Sequence, residues 1–194
     1  MPRFLSDKRT PIPKVKKINY NLKRQMKKDS KEIDKKVPDS SLEPYYTYDD
    51  ERGIAKFSCG RFYAGSEIEI PSTVERDGKT YRVEIEFMAF RDCNNLKEII
   101  LPEGCERLLR STFWDCSNLE RVVIPSSIKE VLPNQFIGCK SLKEIVFQNP
   151  ESIKMKDEVS CGLSQEDVKV IDQSKNKEYT LVEFIKEYEK SWII

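Results

Sequence analysis

One sequence template occurs three times in this chain, at a constant offset of 23 residues. Residues 90–102 (FRDCNNLKEIILP), 113–125 (FWDCSNLERVVIP) and 136–147 (FIGCKSLKEIVF) share the pattern F-x-x-C-x-x-L-x-x-I/V-x-I/L/F. Strands that recur at one fixed spacing must run parallel, and one unit cannot bury its own apolar face, so the core is expected to form between neighbouring units. The pattern therefore predicts a repeat solenoid with a parallel sheet on one face, its strands lying at 96–101, 119–124 and 142–147.

The residues between these strands predict the crossover that parallel strands require. A proline or polar turn follows each strand, and a weaker apolar pair follows the turn: Cys105 and Leu108 in the first unit, Ile128 and Val131 in the second. The prediction for this segment is a crossover connection.

The segment before the regular units is predicted to be an N-terminal cap. Ile54–Cys59 and Glu67–Ile70 alternate apolar and polar residues and are flanked by glycines, which predicts a β-hairpin formed by these two strands. Asp77-Gly78 is a strong turn signal ahead of a second alternating run, which contains Tyr81, Val83 and Ile85.

The segment after the regular units is predicted to be a C-terminal cap. Residues 168–172 (VKVID) predict a last strand, and Thr180 with Glu183 matches a capping box. Apolar residues then follow at helical spacing, which predicts a terminal amphipathic helix over the open end of the stack: Leu181, Phe184, Ile185, Tyr188 and Trp192.

The net charge of +1 conceals two parts of opposite sign. Residues 1–37 contain thirteen Lys and Arg and four Asp and Glu, a net of +9, whereas the remaining residues have a net of −8. An apolar stripe at helical spacing runs through this basic arm: Ile18, Leu22, Met26, Ile33 and Val37. Three interpretations are open. The arm binds nucleic acid, an anionic membrane surface or an acidic protein; or it is a solvated lysine-rich extension; or it lies against its own acidic body.

Composition argues against several classes of function. The chain has no His, which removes Ser-His-Asp and Cys-His catalysis and every His-ligated metal site. No glycine-rich phosphate loop occurs, so no enzymatic activity and no cofactor are expected. The aligned Cys93, Cys116 and Cys139 are expected to be buried thiols and not metal ligands.

The six cysteines are expected to be reduced. The chain has neither a signal-peptide core nor a membrane-spanning stretch, so a cytoplasmic location is expected, with a cell-surface location only for a form that carries an additional leader.

Several of these sequence features resemble a known family. The array from Ala89 to Pro102, its two successors and the preceding IPSTVERDGKTYRVEIE resemble the BspA-type leucine-rich repeats. The first repeat of that family typically carries I-P-x-x-V-x-x-x-G-K-x-Y-x-V, as residues 70–83 do here. The resemblance covers about residues 50–155. It implies a right-handed solenoid and an interaction role, because family members are mostly adhesion or binding proteins, often at a cell surface.

The expected organisation has four parts: a basic, flexible arm over 1–41, an N-terminal cap with a first extended repeat over 42–89, three 23-residue leucine-rich repeats over 90–158, and a C-terminal cap over 159–194. The expected function is that of a non-catalytic leucine-rich-repeat module, or scaffold, that binds another protein of unknown identity. The alternative is that the arm binds nucleic acid or an acidic surface and the repeats are a structural passenger.

If Leu96, Ile99 and Leu101 point inward, the strand residues between them point outward. The candidate partner-binding residues on this face are Lys97, Glu98, Ile100, Glu120, Arg121, Val123, Lys143, Glu144 and Val146. One interpretation is an apolar stripe with mixed-charge columns beside it, which a partner could recognise. The other is that β-branched residues simply favour strands and that the charges pair with one another across strands.

Overall fold

The computed structural model describes residues 10–11, 44–60, 63–155 and 168–192. These residues form a β-solenoid of about four turns with one C-terminal helix. The helical stripe in the arm and Cys161 lie outside the described residues. The strands form three sheets, of six, five and three strands.

The six-stranded sheet contains the strands that the repeats predict. Its members are β4 (Glu67–Ile68), β7 (Glu98–Ile100), β9 (Arg121–Ile124), β11 (Glu144–Phe147), β13 (Lys169–Asp172) and β14 (Lys177–Thr180). Their spatial order is β14-β13-β11-β9-β7-β4, and all neighbouring pairs are parallel except β13 with β14. The parallel sheet is therefore confirmed, and so is the inward direction of Leu96, Ile99 and Leu101, which are at most 2% exposed.

A second parallel sheet lies where the sequence predicted only a connection. It consists of the two-residue strands β8 (Arg107–Leu108), β10 (Glu130–Val131) and β12 (Lys154–Met155). A short 3-10 helix, Pro150–Ser152, precedes β12. Strands this short do not show alternation, which explains why the weaker apolar pairs did not identify them.

The five-stranded sheet forms the N-terminal cap and corrects one prediction. Its order is β1-β2-β3-β6-β5, where the strands are β1 (Thr10–Pro11), β2 (Tyr45–Asp49), β3 (Ile54–Ser58), β5 (Thr73–Arg76) and β6 (Lys79–Ile85). The predicted hairpin of β3 with β4 is wrong: β3 pairs with β2 and β6, whereas β4 pairs with β7 in the other sheet. Alternation locates a strand, but it does not identify the strand's partner.

The second turn prediction in the cap is confirmed. β5 and β6 form an antiparallel hairpin through Asp77 and Gly78, whose φ angles are 52° and 71°. Two successive positive φ values are what a two-residue hairpin turn of the favoured type requires, and Asp-Gly tolerates them.

Successive turns of the solenoid stack through equivalent side chains. The rings of Phe57, Phe90, Phe113 and Phe136 follow one another at centroid distances of 5.7, 5.2 and 5.3 Å. The backbone repeats as well, since Asp92, Asp115 and Gly138 have φ angles of 61°, 58° and 81° at the same position of three consecutive turns. The 23-residue period is therefore a period of both packing and backbone conformation.

The C-terminal cap is confirmed in its main elements. The last parallel strand is β13, and the helix α1 (Leu181–Trp192) follows a strand, β14, that the sequence did not predict. The capping box closes reciprocally: the Thr180 amide donates to Glu183 Oε2 at 2.8 Å and the Glu183 amide donates to Thr180 Oγ1 at 3.2 Å. Phe184 stacks on Phe147 at 4.9 Å, so the helix covers the end of the core as predicted.

A buried carboxylate stabilises this cap through hydrogen bonds. Asp172 is fully buried and accepts hydrogen bonds from the hydroxyl and amide of Ser174 at 2.6 and 2.9 Å and from the hydroxyl of Tyr188 on the helix. Burial alone would raise the pKa of Asp172, but the hydrogen bonds together hold it below its usual value. The ionised form therefore joins the β13–β14 turn to the helix.

Candidate protein-binding face

The outward side chains of the six-stranded sheet form two straight columns, here called the sheet face. The strand register places Glu98, Arg121, Glu144 and Lys169 side by side in one column. The same register makes a second, apolar column from Ile100, Val123, Val146 and Ile171. The structure therefore brings the predicted strand residues together on one surface.

The charged column pairs largely within itself. Arg121 is central: its Nε donates to Glu144 Oε1 at 2.5 Å, and its Nη1 donates to Glu98 on the other side. The hydrogen bond to Glu144, with that to Glu98, raises the pKa of Arg121 against the opposing effect of burial. These charges match the interpretation in which they pair across strands, as opposite charges on neighbouring strands do.

A second set of charges lies where the strands begin. Lys143 Nζ contacts Glu120 Oε2 at 2.8 Å, and this hydrogen bond lowers the pKa of Glu120. Lys97, which lies one turn before Glu120 at the same repeat position, is exposed and lowers the pKa of Glu120 further through its charge. All three side chains remain accessible, so a partner could contact them without a change in the fold.

The apolar column corrects part of the predicted surface. Ile100 is 56% exposed, whereas Val123 and Val146 are only 6% and 4% exposed. Val123 has an apolar neighbour on each side, but the strand beside Ile100 ends at Ile68, one position too early to cover it. The prediction that all three face solvent is therefore wrong for the two valines.

The two edges of this sheet differ in how they are protected. At the β4 edge, the Tyr63 hydroxyl donates to the Glu67 carbonyl at 3.1 Å, and the ring lies so close to Gly65 that a Cβ there would be 2.4 Å from Oη. At the β14 edge, the exposed Lys177 and Glu178 stand on a strand of four residues. Short, charged or covered edges disfavour strand addition, so a partner is more easily accommodated on the face.

The cysteine column is structural in the part of the chain that the structure describes. Cys93, Cys116 and Cys139 are buried, as predicted, and their thiols donate to backbone carbonyls of the preceding turn at 3.4, 2.8 and 3.0 Å. Cys59 continues the column, which the sequence did not indicate because the cap lacks the repeat spacing. Burial, with the hydrogen bond that the Cys59 thiol makes to Cys93, raises the pKa of Cys59 well above its ordinary value.

The described cysteines are free and buried, and burial also raises the pKa of the Cys105 thiol. Within 44–60, 63–155 and 168–192, no three or more Cys, Asp or Glu side chains converge as a metal site would require. Nor is any helix of the described residues long and apolar enough to cross a membrane.

Parallel strands stacked turn on turn, with Leu, Phe and Cys columns inside, define a leucine-rich-repeat solenoid. The BspA type leucine rich repeat region matches residues 58–176, in six copies. The chain therefore belongs to the BspA-type leucine-rich-repeat family.

Three solved structures are similar to this chain. A leucine-rich repeat protein from Bacteroides ovatus is 24% identical, with a TM-score of 0.53, over 72% of this chain and 41% of that one. The leucine rich repeat protein of T. pallidum is 26% identical, with a TM-score of 0.50, over 73% and 67%. A leucine rich cell surface protein from Faecalibacterium prausnitzii is 18% identical, with a TM-score of 0.48, over 70% and 42%. The chain thus spans less than half the length of the Bacteroides protein, and no curated protein matches it.

Proposed function

We propose that this protein is a non-catalytic interaction module that binds another protein through the sheet face. The proposal rests on Ile100, a large aliphatic side chain that is 56% exposed on the parallel sheet, with the charged Glu98 two positions before it on the same strand. An apolar anchor surrounded by polar groups is the usual arrangement of a binding surface.

The surviving contact set is smaller than the sequence suggested. Besides Ile100, it comprises Lys97, Glu98, Glu120 and Lys143, which are exposed or half-buried and therefore accessible to a partner. Arg121 and Glu144 pair within the charged column, while Val123 and Val146 are buried in the apolar column beside it. The family supports a binding role in general, and the choice of this face is our proposal.

The alternative, in which the arm binds nucleic acid or an acidic surface, has no comparable support. The arm is outside the described residues except for Thr10 and Pro11, and the family match begins only at residue 58. We therefore do not advance it.

A matched pair of variants tests the proposed face. Ile100→Asp and Val182→Asp each place a charge on an exposed aliphatic position, because Val182 on the terminal helix is 54% exposed. Full-length wild type and both variants are immobilised, and the proteins that each captures from a cell lysate are compared by quantitative mass spectrometry.

We expect a protein that is captured by wild type and by Val182→Asp and is lost with Ile100→Asp. Equal capture by all three would show that the partner binds elsewhere. Circular dichroism spectra of the variants should coincide with that of wild type, since both positions are on the surface.

We further propose a reducing compartment, consistent with a cytoplasmic location. The free cysteines of the described residues support it, because exposure to an oxidising environment favours disulfides. Alkylation of the denatured protein taken directly from cells should label all six thiols, and blocked thiols would contradict this location.

A further inference from the structure

A cavity of about 350 Å³ lies between β14 and α1 in the C-terminal cap. Three residues of the strand and three of the helix line it: Lys177, Glu178, Tyr179, Glu183, Lys186 and Glu187. Ligand pockets begin at about 300 Å³, so this cavity has the size for a small molecule. All six residues follow residue 176, where the family match ends, so the cavity is a feature of this chain's own cap.

Tyr179 brings a buried hydroxyl group without a partner to the cavity. The residue is 6% exposed, and its ring packs edge-on against Phe184 at 5.8 Å and against Tyr188 at 6.3 Å. Its Oη is buried and makes no hydrogen bond within the part of the chain that the structure describes. A buried polar group that stays unpaired destabilises a fold, and such groups are rare in native proteins. A ligand that accepts a hydrogen bond from Tyr179 would remove this destabilisation.

The charges that line the cavity are balanced once an existing ion pair is taken into account. Lys169, which does not line the cavity, pairs with Glu178 at 2.8 Å. Two ammonium groups and two carboxylates remain: those of Lys177, Lys186, Glu183 and Glu187. A ligand with one charge of each sign is therefore complementary to the lining, whereas a simple anion or cation meets as many like charges as opposite ones.

Both lysines of the cavity are available to a ligand. Lys177 Nζ lies over the ring of Tyr179, 4.3 Å from its centroid. Neither Lys177 nor Lys186 forms an ion pair with a residue that the structure describes. Hydrogen bonds from Thr180 lower the pKa of Glu183, and the charges of Lys177 and Lys186 lower it further, so both ammonium groups lie near that carboxylate.

The two carboxylates differ in how firmly they are held. Glu183 Oε2 accepts hydrogen bonds from the amide and the hydroxyl of Thr180 at 2.8 and 3.0 Å. Glu187 Oε1 lies 3.8 Å from Lys175 Nζ, which is closer to Glu151 at 3.1 Å. Glu187 is therefore the carboxylate that a cationic group of a ligand can engage without breaking the capping box.

We propose that this cavity binds a small zwitterion of the α-amino acid class. The carboxylate of the ligand accepts hydrogen bonds from the Tyr179 hydroxyl, Lys177 and Lys186, and its ammonium group donates to Glu187. Hydrogen bonds in which one partner is ionised are the stronger ones, and here each charge of the ligand makes them. The site is separate from the sheet face, so either can exist without the other.

Chemical shifts of the backbone amides in the isotope-labelled full-length protein test the site. The common α-amino acids are added one at a time, and inorganic phosphate and methylammonium serve as probes that carry only one sign of charge. We expect at least one amino acid to give saturable shifts confined to β14 and α1. Each single-charge probe should bind at least about tenfold more weakly, because it leaves one set of charges unpaired.

Tyr179→Phe distinguishes a binding role of the hydroxyl from a structural one. The variant should bind the amino acid at least about tenfold more weakly, because it lacks a hydrogen bond to a charged group. Without ligand its urea denaturation midpoint should equal or exceed that of wild type, since the hydroxyl has no partner in the free protein. A lower midpoint would show that the hydroxyl has a structural role and would contradict the proposal.

Three charge variants assign the two ends of the ligand. Lys186→Gln should weaken the binding of the amino acid and of phosphate, whereas Glu187→Gln should weaken the binding of the amino acid and of methylammonium but not of phosphate. Lys129→Gln, which changes an exposed lysine outside the cavity, is the matched control and should retain the affinity of wild type.

The inference is overturned if no amino acid gives a saturable shift or if the shifts lie outside β14 and α1. It is also overturned if phosphate binds as tightly as the amino acid, which would indicate a simple anion site, or if Tyr179→Phe and Lys129→Gln bind the amino acid equally well.

Discussion

Gly138→Ala tests how closely two turns of the solenoid approach each other. Gly138 has a φ of 81°, and a Cβ at this position would lie 2.0 Å from Asp115 Oδ1 and 3.0 Å from Asp115 Cα. The carboxylate is also held in place, because its Oδ2 accepts a hydrogen bond from Trp114 Nε1 at 2.8 Å. The substitution therefore combines an unfavourable backbone conformation with a collision against the preceding turn.

Gly53→Ala is the matched control for the backbone contribution. Gly53 has a similar φ of 64°, and a Cβ added there would meet nothing within 4 Å. A left-handed conformation costs an L-residue about 1–2 kcal/mol, which is the whole effect expected at Gly53. Overpacking adds about 1–3 kcal/mol, so Gly138→Ala should lower the free energy of unfolding by about 2–5 kcal/mol.

Urea denaturation followed by circular dichroism measures both variants against wild type. Asp115→Gly removes the colliding oxygen, so it should recover part of the loss when combined with Gly138→Ala, and the double-mutant cycle isolates the coupling. If Gly138→Ala and Gly53→Ala have equal unfolding free energies, the two turns are not in the close contact described and the reasoning fails.

Three further predictions concern the stack, the cap and the thiols. Phe113→Ala should lower the free energy of unfolding by about 3–5 kcal/mol, measured by urea denaturation, because the ring of Phe113 stacks between two others. Phe87→Ala should have little effect because Phe87 is exposed, and similar losses in the two variants would refute the stacking account. The pKa of Asp172 is lower in the folded chain than its ordinary value of 3.8, so its ionised form contributes stability above that pH and loses the contribution as the pH falls through the folded value. Asp172→Asn should therefore be less stable than wild type at pH 7, and the difference should shrink as the pH falls below 3.8; a difference independent of pH would contradict this. Finally, Ellman's reagent should react with the buried Cys59 and Cys105 only on unfolding, and rapid labelling of either in the native protein would show that the fold opens there.

The repeat period made the main sheet predictable, because the alignment of three copies determines both strand direction and register. Leu96 and its counterparts could be placed inside for the same reason. The capping box was predictable because Thr180 and Glu183 interact locally, within one turn of helix. These features depend on residues that are neighbours in sequence or on a sequence pattern that repeats at a constant spacing.

Features that depend on pairing across the chain could not be predicted in this way. β3 and β4 have the alternation of strands, but their partners are determined by how the cap packs on the first turn. The exposure of Val123 and Ile100 differs although both occupy the same repeat position. Val123 has a paired residue on each side, whereas β4 ends at Ile68, one position before it would reach Ile100. A repeat pattern indicates the direction of a side chain more readily than it indicates how much of that side chain is covered.

The reversal of β14 has a consequence for how such a protein can grow. Each parallel strand offers the next turn a template of the same polarity, but β14 runs in the opposite direction and α1 follows it. A further parallel unit finds no strand of its own polarity at β14, whereas a unit inserted inside the array meets the same template on both sides. Duplication of residues 119–141 should therefore lengthen the protein by one turn and leave both ends unchanged, so the array is extensible from within.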